Sequence, residues 1–199
     1  MHISEGILSG SVLLAGWAGS AAGIAIGLRK TDTSRIVRTA LLSSAFFLAS
    51  LVNVKVGPSS THLSLLAPMG LILGWGVFPA VFTALLLQAM LFHFGGLLVL
   101  GVNTFIMGTA SLSVYLLFGK TVRESSNRAV VAGGSFFAGG VAVILGAGLA
   151  GLCLGLTDSN FLNAAKVLVI AHVPLAVIEG AVTSFMVMWL KRSAPEFLS

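Results

Sequence analysis

Uncharged apolar stretches as long as a bilayer is thick constrain this chain more than any other feature. Residues 8–28 and 129–156 hold no charged side chain. Each exceeds the roughly 20 apolar residues a helix needs to cross a hydrocarbon core of about 30 Å. Backbone amides in lipid must be paired within the spanning structure, which leaves helices or a closed barrel. Barrel strands would read as alternating segments of about ten residues, and these runs do not alternate. The expected fold is an all-α integral membrane protein, residues 1–199 forming a single transmembrane domain. Composition agrees, with 57% of the residues hydrophobic and 9% charged, against about 25% charged in soluble domains. Glycine is abundant at 24, proline scarce at 5, and low-complexity tracts are absent, which excludes disordered and collagen-like chains.

Seven candidate spans follow along the chain: 8–28, 36–56, 63–73, 78–94, 105–118, 129–156 and 164–190. The second carries Arg38 and Lys55 near its ends, where long basic side chains can reach the interface. The third is too short to cross alone at about 1.5 Å per residue. It is tilted, extended through "GWG", or half of a re-entrant hairpin, and the fifth is short as well. Basic residues orient the bundle. Arg29, Lys30, Arg35 and Arg38, then Lys120, Arg123 and Arg128, then Lys191 and Arg192 all fall on one side of a seven-span chain. Only Lys55 and Lys166 remain for the other side. The loops near 29–38 and 119–128 are therefore expected in the cytoplasm with the C-terminus, and the N-terminus outside. On this reading the net charge of +5 is an orientation signal and implies no nucleic-acid partner. No lysine or arginine precedes the first run, so the basic region of a secretory signal is missing and the first residues are expected to persist.

That placement matters because of the opening "MHISEG", expected to form a metal-binding tip over residues 1–7. A free α-amine, the amide nitrogen of residue 2 and the imidazole of His2 can close two fused chelate rings on one ion. One further imidazole completes four nitrogens near a plane, a geometry suited to Ni²⁺ or Cu²⁺, while nitrogen donors also suit Co²⁺. The other histidines, His62, His93 and His172, fall on the outward side too. Each alone reads as a hydrogen-bonded structural residue; together with His2 they point to an outward metal site. His62 is the best fourth donor, in an outer loop stiffened by Gly57-Pro58. Amine and imidazole must shed protons to bind, so affinity should fall below about pH 7 to 8.

Other features carry less. His172 and Glu179 are seven residues apart and share a helix face. Glu179 near mid-bilayer would cost at least about 2.5–3.5 kcal/mol if unpaired, so it serves as a relay or packing switch, or simply bonds neighbouring helices. Small residues recur every four positions at Ala15, Gly19, Gly23 and Gly27, and again at Gly134, Ala138, Ala142, Gly146 and Ala150. Such stripes let helices pack closely in lipid, either internally or against a partner subunit. "GKT" at 119–121 lacks the earlier glycine of a phosphate loop, since position 114 is Val114, and it follows a span rather than a strand. "GPSSTH" allows an intramembrane serine hydrolase, with Ser59 or Ser60 paired to His93 or His172, but no glycine-flanked nucleophile elbow is present. Cys153, the single cysteine, lies within a span and can form no intrachain disulfide.

The segments "MHISEG", "VGPSSTHL", "FPAVFTALLLQAMLF", "FGGLLVLGVNTFIMG" and "HVPLAVIEGAVTSF" together resemble the cobalt/nickel subunit family (CbiM/NikM) of energy-coupling factor transporters. The resemblance runs from the first residue to about residue 190. It implies a substrate-binding S component of the cell (inner) membrane that captures Co²⁺ or Ni²⁺ as transported substrate and catalyses nothing itself. Its implied partners are a transmembrane coupling protein, cytoplasmic ATPase subunits and a small accessory membrane subunit. The implied donors are the Met1 amine, the His2 amide nitrogen and imidazole, and the His62 imidazole, with Glu5 and Asn103 in supporting or loop-packing roles. Outer loops are implied to fold over the ion. Many relatives read "FGHGG" where this chain has "FHFGG", so no role transfers to His93. An S component for an organic vitamin is the third alternative; it would need an aromatic pocket from three tryptophans and one tyrosine.

Overall fold

The structure, a computed structural model, describes residues 3–51, 53–56 and 59–198; for 53–56 and 59–62 only the backbone is considered. Its helices are α1 (Gly10–Lys30), α2 (Ile36–Leu51), α3 (Leu66–Leu73), α4 (Val77–Phe92), α5 (Leu100–Glu124), α6 (Arg128–Thr157), α7 (Leu162–Ala171) and α8 (Val173–Ser193). Between α2 and α3 the strands β1 (Asn53–Val56) and β2 (Ser59–His62) pair antiparallel, with Asn53 opposite His62. Among the described residues the regular structure is therefore helical apart from one short antiparallel strand pair.

Local chemistry sets several boundaries. The Asn127 side chain accepts the amides of Ala129 and Val130 at the start of α6, satisfying donors that a helix leaves free. Pro174 in the first turn of α8 has no amide to donate, so the last apolar run breaks at His172 into α7 and α8. In α5 the polar Asn103 and Thr104 lie inside the helix and are buried, so α5 spans 25 residues where a shorter segment was expected. Conversely, α2 stops at Leu51, and the stretch that was to complete it is β1.

Among the described residues, six helical stretches are long and apolar enough to cross a membrane, against seven expected. The difference lies in the stretch Leu66–Phe92, which counts as one by length but folds back on itself. Gly74, at φ +54°, opens a 3₁₀ turn over Gly74–Gly76. Packing on either side of that turn runs in opposite senses. Gly70 of α3 and Gly74 just after it face Ser111 and Tyr115 in turn, so α3 runs with α5. Phe78 of α4 meets Gly23 of α1, and Phe82 meets Trp17, so α4 runs against α1. Since α1 and α5 are parallel (Gly16 on Val102, Gly19 on Phe105), α3 and α4 alternate in direction between them, while α7 and α8 both run against α6 (Gly151 on Ala165, Gly139 on Glu179) and form one pass.

The glycine stripes are spent within this packing. Gly23 and Gly27 are buried against α4 and the Gly74–Gly76 turn, while Ala138, Ala142, Gly146 and Ala150 are buried in the interior; Ala15 alone is exposed. Outward faces carry large apolar side chains, with Leu14, Val37 and Phe185 each 74% exposed. Such faces suit hydrocarbon and not water. The protein is a multi-pass membrane protein.

Candidate functional site

Alternation of the helices gathers the nine basic residues of the three clusters at one end of the bundle. There Arg38 donates to the Glu196 carbonyl at 2.8 Å, and Lys191 donates to the carbonyls of Arg123 and Ser125 at 3.2 and 2.7 Å. The opposite end holds the start of the chain. Met1 and His2 lie outside the described residues, and for His62 only the position on β2, opposite Asn53, is described. The described neighbours in sequence are residues 3–9 and the segment after His62.

Residue 3 is the first fixed point. Ile3 is buried in one apolar cluster with Val99, with Val102 and Ile106 of α5, and with Ala150 of α6. Asn103 accepts the Ile3 amide at 3.0 Å and donates back to the Ile3 carbonyl at 3.0 Å. A side-chain amide offers one acceptor and two donors, so a single residue of α5 satisfies both backbone groups of residue 3. Residue 5 is the second. The Glu5 amide donates to the Gly95 carbonyl at 3.1 Å, and its carboxylate accepts the Leu98 amide at 2.8 Å. The loop that receives it is shaped by positive φ at His93, Gly95 and Gly96. At Gly96, φ is +119° and a Cβ would overlap the Glu5 carboxylate, so glycine is required there twice over. Further on, Ser9 donates to Thr157 at the end of α6 (3.3 Å), and Trp17 donates to the Leu98 carbonyl (3.0 Å). The tip thus crosses the end of the bundle and is tied to α5, α6 and the loop after α4.

A second frame holds the segment after His62. Glu179 of α8 is 1% exposed, and its Oε1 accepts the amides of Ser64 and Leu65, the latter at 3.3 Å. Of the alternatives open for Glu179, the structure shows a bond to the loop entering α3. His172 is buried at the α7–α8 break, donating through Nδ1 to the Leu168 carbonyl at 2.7 Å, while its Nε2 has no partner. His93 is exposed, at the C-terminus of α4. Among the described residues no three His, Cys, Asp or Glu side chains come together as a metal site. Sequence reasoning missed the receiving partners: Gly95, Gly96 and Leu98 for Glu5, and Ser64 and Leu65 for Glu179. The doubled glycine of "FGG" was the available signal for the first.

A membrane bundle whose N-terminal segment is stitched across one end by polar side chains is the class that fold and site define. Residues 2–197 match the family model of CbiM, the cobalt uptake substrate-specific transmembrane region. The chain is 39% identical, over its whole length and 97% of the relative, to a Haemophilus influenzae protein named for metal transport. It is 33% identical over its whole length, and 86% of the relative, to the cobalt transport protein CbiM of Kyrpidia tusciae. Against the fused nickel transport protein NikMN of Rhodobacter capsulatus it is 30% identical over its whole length, covering 64% of that longer protein. The crystal structure of a transition metal transporter superimposes with a TM-score of 0.81 at 24% identity, covering 96% of this chain and 93% of the other, and so shares the fold. The protein belongs to the CbiM family, and it is a membrane component of cobalt/nickel transport of the CbiM/NikM type.

Proposed function

We propose that the protein is the substrate-binding subunit of an energy-coupling factor importer, capturing Co²⁺ or Ni²⁺ outside the cell through Met1, His2 and His62. The tip end faces outward and the basic end the cytoplasm, in keeping with the side on which lysine and arginine accumulate. Counting α3 and α4 as two passes gives seven, an outward N-terminus and a cytoplasmic C-terminus. The subunit performs no catalysis. ATP is hydrolysed by cytoplasmic partners and the work is transmitted by a transmembrane coupling protein. A small accessory membrane subunit completes the assembly; the fused relative's name joins two components in one chain.

The observation that carries this reading is the double hydrogen bond between Asn103 and Ile3. A chelating N-terminus binds more tightly when its backbone is already fixed, because a free tip loses conformational freedom on each capture. Asn103 fixes the chain one residue beyond His2, and Glu5 fixes it again two residues later.

Equilibrium titration of the purified protein with Ni²⁺ and with Co²⁺ tests it. His62→Ala is expected to weaken binding at least tenfold and His93→Ala to leave it unchanged. The reverse pattern would remove His62 from the donor set.

A further inference from the structure

Glu179 is a carboxylate inside the bundle that the donor set does not use. Its Oε1 receives two backbone amides, from Ser64 and Leu65, across more than a hundred residues of sequence. Those amides belong to the three-residue link between the end of β2 at His62 and the start of α3 at Leu66. Leu65 stands at φ +49°, a left-handed conformation that a leucine adopts only where its surroundings impose it. No side chain of the link itself caps α3. Instead the Glu179 carboxyl, reaching from α8, accepts the two amides that lead into the first turn of α3.

The support behind Glu179 is firm. Gly139 of α6 packs directly on the Glu179 carbonyl, and Ser184, a little over one turn further along α8, donates to the Ala132 carbonyl at 2.9 Å. The paired helices α6 and α8 thus present one carboxylate at a fixed height. His62 lies two residues above the first amide it holds, about 7 Å of extended chain.

We infer that Glu179 is a positioning residue for the ion site: it sets the height of the strand carrying His62 without touching the ion. The inference rests on the proposed donor role of His62. The site is then hung from two supports, the tip from Asn103 on α5 and the fourth donor from Glu179 on α8. A shift of α8 against α5 changes the spacing of the donors.

The test is a double-mutant cycle on the full-length protein, read as Ni²⁺ affinity together with the visible absorption band of the bound nickel. Glu179→Ala is expected to weaken binding at least tenfold and to shift the band. In a His62→Ala background, which keeps the tip nitrogens, the same change should alter neither. Glu179→Gln keeps an acceptor oxygen and should lose about threefold in the parent and nothing in the His62→Ala background; it carries the comparison if the alanine variant does not fold. Equal losses in both backgrounds, or no loss in either, would overturn the positioning role while leaving the donor set intact. Parental affinity in His62→Ala alone would overturn the donor assignment and this inference with it.

Discussion

Asn103 and Ile3, one hundred residues apart in the chain, exchange two hydrogen bonds of 3.0 Å each, one in either direction. That exchange fixes where the N-terminal tip leaves the bundle. It also separates two substitutions that look alike. Asn103→Asp keeps an acceptor for the Ile3 amide but sets a carboxylate oxygen against the Ile3 carbonyl. Asn103→Leu leaves both backbone groups buried and unpaired, at about 1–3 kcal/mol each. Both should weaken Ni²⁺ binding at least tenfold, with Asn103→Leu the less thermally stable. Calorimetric titration and thermal unfolding in detergent check this; unchanged affinity in both would detach the clamp from ion capture.

Gly96 gives a steric version of the same test. A Cβ there meets the Glu5 carboxylate, and φ of +119° disfavours any other residue. Gly96→Ala should displace Glu5, lower the unfolding temperature and reduce metal affinity. Gly10→Ala, at the start of α1 with open space around it, should change neither. Similar effects from both would mean that the loop after α4 does not hold the tip.

Much of this was legible in the sequence. Apolar runs locate the helices because lipid demands continuous helical backbone; "GWG", through which one of three readings extends the third span, is the 3₁₀ turn that ends α3. The hairpin was passed over although "NVKV" and "SSTH" flank the two-residue breaker Gly57-Pro58, a hairpin spacing. Lys55, which reads in sequence as the snorkelling end of a helix, lies on β1. The start of α5 was set too late because Asn103 and Thr104 are polar; burial with a partner, invisible in a linear reading, puts Asn103 inside. Glu179 was recognised as needing a partner, but sequence spacing relates residues on one helix only. Its partners are backbone amides more than a hundred residues away, which no side-chain pattern reveals.

Proton competition should govern capture. The α-amine titrates near 8 and imidazoles near 6.5, and each must be deprotonated to bind. Binding is therefore complete above these values and lost as pH falls through them. Apparent Ni²⁺ affinity should drop at least tenfold per unit below about pH 6. A flat profile between pH 5 and 8 would exclude an amine–imidazole site.

Ser59 and Ser60 lie on β2, pairing with Val56 and Lys55. Ser59→Ala and Ser60→Ala should leave metal uptake by cells within twofold of the parent, and a serine-directed fluorophosphonate should not label the protein. Labelling abolished by either substitution would revive the hydrolase alternative.

The central claim is that the ion is held by the very start of the chain. Ni²⁺ titration of the purified protein in three forms, with a free N-terminus, with an acetylated N-terminus and with one alanine inserted before His2, tests it most directly. The free form should bind, and both altered forms should lose at least a hundredfold in affinity at unchanged unfolding temperature. Parental affinity in either altered form would contradict the account.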